Sequence, residues 1–345
     1  MTNNLWKALP VVAMLAGSAL LVTVPASTAR AQGKGGGKAA PAPAAAPAKG
    51  AAKGATGEVH SIKVQGNVYM LVGPGGNTAV QIGDSGVLVV DPQTEASAPA
   101  LIAEIRRLTD KPIRYLVNTS IDHTGGNAPV GRAGVPVIGG NLGAVAFQNP
   151  ATIIAHENVL SRMVNAPEGQ KVENPDALPT TTFFAGQKEV FFNEEPVLIM
   201  HQPKAHTDGD SIVFFRRSDV IAAGDTFDMT SYPKIDIAKG GSIQGELKTL
   251  NLLLDLCIPK HEQEGGTYVI PGHGRLTDEH DVLEYRDMVT IVRDRIQNMI
   301  GKNMTLAQVK AAKPTYEYDP RWGKTIGDWT TDMFVEAVFR SLSTK

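Results

Sequence analysis

The sequence predicts an α/β sandwich, with two β-sheets packed face to face and helices outside. Two observations carry that prediction. Short apolar strand patterns cluster twice, once over residues 57–91 and again over residues 188–225, and helical stretches follow each cluster. The chain has 345 residues, 42% of them hydrophobic, which suffices for a packed core and excludes wholesale disorder.

The strand patterns start near Gly57. VHSIKV, VYMLVG and TAVQIG read as short strands separated by Gly-rich turns. SGVLVVD is a more continuous apolar strand ending on Asp91. Residues 97–109 read as a helix: Ser97 suits the N-cap, Pro99 suits the first turn, and Leu101, Ile102, Ile105 and Leu108 form one stripe. IRYLVN returns to a strand and leads into the polar loop TSIDHTGGN. GVPVIGG reads as a strand, and GAVAFQNPATIIAHENVLSRM as a helix in two pieces broken at Pro150. Residues 165–182 read as a long loop. KEVFFN, PVLIMHQ, SIVFFRR and DVIAAGD are four strands in succession. Residues 243–257 then read as a helix, TYVIPGHG as a strand running into a loop, and residues 277–300 as a long helix.

Ahead of this body lie two segments of different character. Lys7 precedes an apolar stretch, Ala8 to Val24, and Ala29-Arg30-Ala31 forms a small-x-small cleavage site, so residues 1–31 read as a secretory signal. Ala, Gly, Pro and Lys fill 23 of the 25 positions from 32 to 56, which reads as a solvated tether. The expected organisation is therefore signal 1–31, linker 32–56 and one folded domain over 57–345. The expected location is the periplasm or the exterior, with no stable membrane insertion once the signal is removed.

The net charge of −2 hides an asymmetry: residues 1–31 carry +2 and the linker +4, leaving −8 on residues 57–345. So acidic a body argues against a nucleic-acid partner, which calls for a basic face. A single cysteine, Cys257, rules out an intrachain disulfide, and its apolar surroundings LLLDLCIPK mark it as a buried small residue.

Of the eight histidines, three sit just beyond strands in polar or Gly-rich loops: Asp122-His123-Thr-Gly-Gly-Asn, His206-Thr-Asp-Gly-Asp and Pro-Gly-His273-Gly. A fourth strand end carries Gly224-Asp225. Imidazole and carboxylate presented together on a rigid scaffold suit zinc or another divalent transition metal. His201 is a candidate neighbour of the site, although a plain structural role has the stronger claim. His156 is a candidate to reach the site from a helix. His60, His261 and His280 read as solvated. Trp322 and Trp329, in PRWGKTIGDW, read as packing residues, with substrate lining as the alternative.

In this order and at these spacings, DHTGGN, HTDGD, GD and PGHG resemble the metallo-β-lactamase superfamily over roughly residues 57–342. The resemblance implies two face-to-face sheets with helices on both outer sides and a metal site at one edge. It implies metal ligands at Asp122, His123, His206, Asp225 and His273, with Asp225 bridging two metals. The sequence departs from the family motif His-x-His-x-Asp-His. Read backward from His123, those positions hold Asn118, Ser120, Asp122 and His123; alternatively, Asn118-Thr119 matches the Asn-Thr that often precedes the first His, with two residues deleted. Either way both leading histidines are absent. The first metal keeps only His206 of its three terminal ligands. The second keeps Asp122, His123 and His273.

The resemblance therefore implies a hydrolase of small molecules with one tightly bound zinc and a second, weak metal at most, and the signal segment makes it an exported one. Zinc-bound water would attack a small ester, lactone, thioester, amide or phosphoester. Asp122, Asp225 and His206 are the expected catalytic residues, Asp225 as a further ligand or base and His206 as a hydrogen-bond partner of the water or substrate. The rival expectation is a non-catalytic ligand- or metal-binding protein on the same fold. A nuclease of this fold fits poorly with export and an acidic body.

Overall fold

In a computed structural model, residues 57–137, 150–167, 172 and 174–343 are described. The chain divides into two units, Met1–Gly50 and Ala51–Lys345, and only the second contains described residues. The signal and the linker lie outside the described residues.

The first sheet holds seven strands in the order of the chain: β1 (His60–Gln65), β2 (Val68–Gly73), β3 (Gly76–Gly83), β4 (Gly86–Val90), β5 (Ile113–Val117), β6 (Thr152–His156) and β7 (Thr181–Phe183). The pairs β1 to β4 are antiparallel and those from β4 to β7 parallel. The second sheet has the order β13-β12-β11-β10-β9-β8, built from β8 (Gln187–Phe192), β9 (Glu195–His201), β10 (Ser211–Phe215), β11 (Val220–Asp228), β12 (Tyr268–His273) and β13 (Thr277–Asp278). Only β11 and β12 pair in parallel there, around the crossover helix α4 (Ile243–Leu256).

Strand alternation distributes the apolar side chains over three cores. Leu88 and Val90 of β4 face Val197, Val213, Val220 and Ile270 between the sheets. Val87 and Val89 turn outward, onto Leu101 and Ile105 of α1 (Ala98–Leu108) and Val130 of α2 (Asn127–Arg132). On the far side, Ile221 and Ala223 of β11 join Leu250 of α4 and Tyr285, Val289 and Val292 of α5 (Glu279–Gly301). The predicted sandwich is thus the observed one, with helices on both outer faces. Trp322 and Cys257 belong to the outer core on the α4 side, and burial pushes the Cys257 thiol up to about 12. Among the described residues, no helix is long and apolar enough to cross a membrane.

Several local expectations are corrected. Thr152–His156 is a strand, not a helix, and helix α3 begins only at Glu157 and runs to Val164. Ile153, Ile154 and Ala155 are a short run buried on both faces between two parallel neighbours, where periodicity alone does not separate helix from strand. Gly134–Val137 is not a strand among the described residues, although Val135 N–H still reaches the Ile113 carbonyl at 2.9 Å. The long loop after residue 165 contains a 3-10 turn at Pro175–Ala177 and leads into β7. Thr277 and Asp278 form the short strand β13 instead of opening the long helix, and Asp278 caps it by accepting from Asp281 N–H. Beyond it lie α6 (Leu306–Ala311), α7 (Asp319–Trp322) and α8 (Thr331–Ser343), the last packed on α4 and α5 through Phe334 and Val338.

Candidate metal centre

The strand ends β4, β5, β9, β11 and β12 converge at one edge of the sandwich. Asp91 follows β4 and adopts the left-handed region, with φ 61°. That conformation is unusual for a residue other than glycine, and here its hydrogen bonds hold it. The Asp91 carboxylate accepts from Thr119 N–H at 2.8 Å and from Thr119 Oγ1 at 2.5 Å, and its Oδ2 lies 2.8 Å from His123 Nδ1. The His123 ring is therefore held from behind, and its Nε2 lies 3.0 Å from Asp225 Oδ1.

Asn118 and Ser120, which one of the two readings of the motif sets against the missing histidines, have structural work. Asn118 is fully buried and exchanges two amide hydrogen bonds with Asn127, at 2.8 and 2.9 Å, while also donating to the His123 carbonyl. Ser120 caps the 3-10 turn Ile121–His123 by accepting from Asp122 N–H. Neither side chain is spare.

Asp225 lies inside β11, not at its end. The register against β12 slips on both sides of Gly224, whose φ is +56°, and the resulting bulge carries Asp225 to the site. A Cβ on Gly224 would meet Thr119 Oγ1 at 2.2 Å, so the backbone approach requires glycine. His273 is the last residue of β12. Asn77 fixes its loop by donating to the carbonyls of Pro271 and Gly274, and His273 Nε2 comes within 3.6 Å of Asp225 Oδ1.

His206 follows β9 and is fully buried. Its Nδ1 lies 2.6 Å from the Lys234 carbonyl, so that nitrogen is the donor and Nε2 faces the site. Nε2 lies 3.0 Å from Asp122 Oδ2 and 3.8 Å from Asp225 Oδ2. Asp122 also receives two ammonium groups, Lys234 Nζ at 3.0 Å and Lys239 Nζ at 2.7 Å.

Two groups of side chains can therefore hold a divalent ion: His123, Asp225 and His273 in one, and Asp122, His206 and Asp225 in the other. In each, the candidate ligand atoms lie within 4.8 Å of one another. All five sequence-predicted residues come together, and Asp225 is shared. The partition differs from the one the resemblance implied, because Asp122 sits with His206 and not with His123 and His273. Two imidazoles and a carboxylate, with a further carboxylate behind one imidazole, fit zinc. The second group has the donor types, but ammonium groups already engage both oxygens of its Asp122.

The electrostatics follow from this packing. Burial opposes ionisation of Asp225, yet the charge and hydrogen bond of His123, then His206 and His273, hold its carboxyl well below the usual range. Burial opposes ionisation of Asp122 too, and the bond from His206 with the charges of Lys234 and Lys239 outweighs it in the same way. Both carboxyls are anionic, the ligand form of a carboxylate.

His156 does not join either group. Its ring stacks on His201 at 3.6 Å, and its Nδ1 caps α3 by accepting from Asn158 N–H. His201 in turn contacts the Asp208 carbonyl at 2.8 Å. His60, His261 and His280 are exposed. Trp322 is buried, while Trp329 is partly exposed and donates to the Tyr232 carbonyl. Sequence reasoning missed Asp91, Lys234 and Lys239. Asp91 carried the same signal as the histidines, a polar residue ending an apolar strand; the lysines stand in YPKIDIAKGG, which gives none.

The metallo-beta-lactamase superfamily description matches residues 64–273, more than half of the chain. No curated protein sequence matches. Among solved structures, a stereoselective inverting sec-alkylsulfatase from Pseudomonas sp. is similar with a TM-score of 0.56 at 15% identity, covering 82% of this chain and 50% of that one. A double mutant of the same sec-alkylsulfatase gives 0.58 at 14% identity with the same coverages. The chain spans about half the length of this sulfatase. A metallo-beta-lactamase from Pontibacter korlensis gives a TM-score of 0.50 at 14% identity, covering 68% of this chain and 99% of that one. At such identities these likenesses show the fold alone. The matched family description, the sandwich and the convergence of the strand-end ligands agree: the chain belongs to the metallo-beta-lactamase superfamily.

Proposed function

We propose that the chain is an exported zinc-dependent hydrolase of small molecules, with one ion held by His123, Asp225 and His273. The supporting observation is that these three converge on one point while Asp91 orients His123 from behind. Zinc held there would supply Lewis acidity and a water acidified toward neutrality. Asp225, whose second oxygen lies 3.8 Å from His206 Nε2, would orient the attacking water by accepting a hydrogen bond from it. His206, with Nδ1 committed to the Lys234 carbonyl, directs Nε2 at Asp122 and toward Asp225, and would meet the substrate oxygen only where that oxygen replaces the Asp122 contact. Asp122 positions His206 through the 3.0 Å contact to that same nitrogen.

A cleft of about 860 Å³ opens beside Asp122 and Lys239 and is lined by Ile121, Met163, Val172 and Arg162. Its mixed lining suits a small substrate with an apolar body and a polar head. Esters, lactones, thioesters, amides and phosphoesters remain the candidate classes, and sulfate esters join them because of the sec-alkylsulfatase among the similar structures. Export rests on the Ala8–Val24 stretch and the Ala29-Arg30-Ala31 site.

The second reading is a binding protein without turnover, favoured by the structural commitment of Asn118 and Ser120. Elemental analysis, combined with hydrolysis of chromogenic members of each class, separates the two. Hydrolysis that chelation abolishes and zinc restores is the expected result. Bound zinc with no turnover of any member supports the binding reading, and a dialysed protein without metal sinks the zinc proposal.

A further inference from the structure

We infer that Lys234 and Lys239 take the place and the charge of a second metal ion, so that the Asp122–His206 half of the centre works without one. The inference rests on the reading that His123, Asp225 and His273 form the metal-binding half. Asp122 is the only side chain that the Asp122–His206–Asp225 group does not share with the other half or bury completely. A metal in that half therefore needs an Asp122 oxygen. Lys239 Nζ sits 2.7 Å from Oδ1, and Lys234 Nζ sits 3.0 Å from Oδ2, which also meets His206. A divalent ion bound to either oxygen would stand beside an ammonium group and be repelled by it. Two ammonium groups bring the same +2 charge that one divalent ion would.

The backbone that carries the lysines is held in place. The Lys234 carbonyl is bound by His206 Nδ1, and the Lys239 carbonyl receives Asp208 N–H at 2.9 Å and Arg162 at 2.8 Å. Asp236, between them, donates its N–H to the His206 carbonyl at 2.9 Å and lies 3.3 Å from Lys239 Nζ. The 234–239 loop is thus fastened to the His206 loop at three points, so both stems start from a fixed backbone and bring their ammonium groups to the one Asp122 carboxylate. Where this half of the centre lacks two neutral ligands for a cation, two cations reach its carboxylate instead.

Zinc titration monitored by calorimetry and by elemental analysis after dialysis tests this, on the wild type, on Lys234→Met/Lys239→Met and on Lys234→Arg/Lys239→Arg. The methionines keep the stems and remove the charges; the arginines keep the charges. One equivalent is expected for the wild type and for the arginine variant. The methionine variant should gain one more, and Asp122→Asn added to it should abolish that gain. The single Lys239→Met variant serves as the second readout and should show a weaker second site. A methionine variant that gains no equivalent overturns the inference, as does a wild type that already holds two. Failure of the zinc proposal shows separately, as a wild type that binds none, because the lysines are judged on the increment between wild type and variant.

Discussion

The Asp91 carboxylate stands 2.8 Å from Nδ1 of His123, on the side of the ring away from Asp225, which lies 3.0 Å from Nε2. One imidazole is thereby fixed between two buried carboxylates. The inner carboxylate selects the ring orientation, leaving the outer nitrogen to the proposed ion. Asp91→Asn should lower zinc affinity by about 10- to 100-fold, the range found for residues that orient metal-bound histidines. Competition with a chromogenic chelator measures it. Unchanged affinity would show that Asp91 serves only Thr119.

His273→Ala should weaken zinc binding more than His206→Ala. His273 is one of three ligands on the side of Asp225 without ammonium groups, and water alone would refill its position. His206 faces Asp122, which the lysines already neutralise. Its removal should lower turnover more than metal content. The same chelator competition, run on both variants, decides; release of zinc by His206→Ala alone would place the ion in the other half.

How much of this was legible beforehand depended on the kind of signal. Val87 to Val90 declared a strand by composition, and the alternation of its side chains between two cores followed. His123, His206 and His273 were legible because strand-end loops concentrate polar residues. The run Ile153–Ala155 was misread because a strand buried on both faces has no period to read. The pairing of Asp122 with His206 was not legible, since the contact spans 84 residues and depends on where a 3-10 turn aims one carboxylate. Lys234 and Lys239 were invisible for a related reason: a lysine in a polar loop is ordinarily solvated, and only the fastening to the His206 loop makes these two part of the site.

The His156–His201 stack should make stability pH-dependent on the acid side. Burial, and then His201 at 3.6 Å, push the His156 imidazole from 6.5 down to about 4, against the pull of Asp208. Well above pH 6.5 neither the folded nor the unfolded chain protonates this group, and its contribution is complete. As pH falls below 6.5 the unfolded chain takes up a proton that the folded chain refuses, so stability falls until about pH 4. Between pH 7 and pH 5 the loss from this one group is about 2 kcal/mol. His156→Asn keeps a cap for Asn158 N–H and removes the titration. Denaturant unfolding of both chains at the two pH values should show a steeper loss in the wild type. Equal losses would mean that His156 protonates freely in the fold.

Gly224 ties the backbone to the chemistry most directly. Its φ of +56° makes the bulge that turns Asp225 inward, and the Thr119 hydroxyl fills the space where a side chain would start, 2.2 Å from an added Cβ. Thr119 is itself held by two bonds to Asp91, so it has nowhere to retreat without releasing the carboxylate behind His123. Gly224→Ala must therefore either flatten the bulge or push Thr119 away. The left-handed conformation alone costs roughly 1–2 kcal/mol for a residue with a Cβ, and the clash adds to it. Flattening rotates Asp225 away from the point it shares with His123 and His273, and displacing Thr119 loosens Asp91 and, through it, His123; both routes lower zinc affinity. Gly186→Ala is the control, because an added Cβ there meets nothing within 4 Å. It should change stability by no more than about 0.5 kcal/mol and leave zinc affinity alone. Thermal melts of the two variants, each with and without zinc, separate the effects: Gly224→Ala should melt lower and gain less from added zinc than the wild type. If it loses stability but keeps the full zinc-induced shift, the bulge serves the fold and Asp225 reaches the ion by another route.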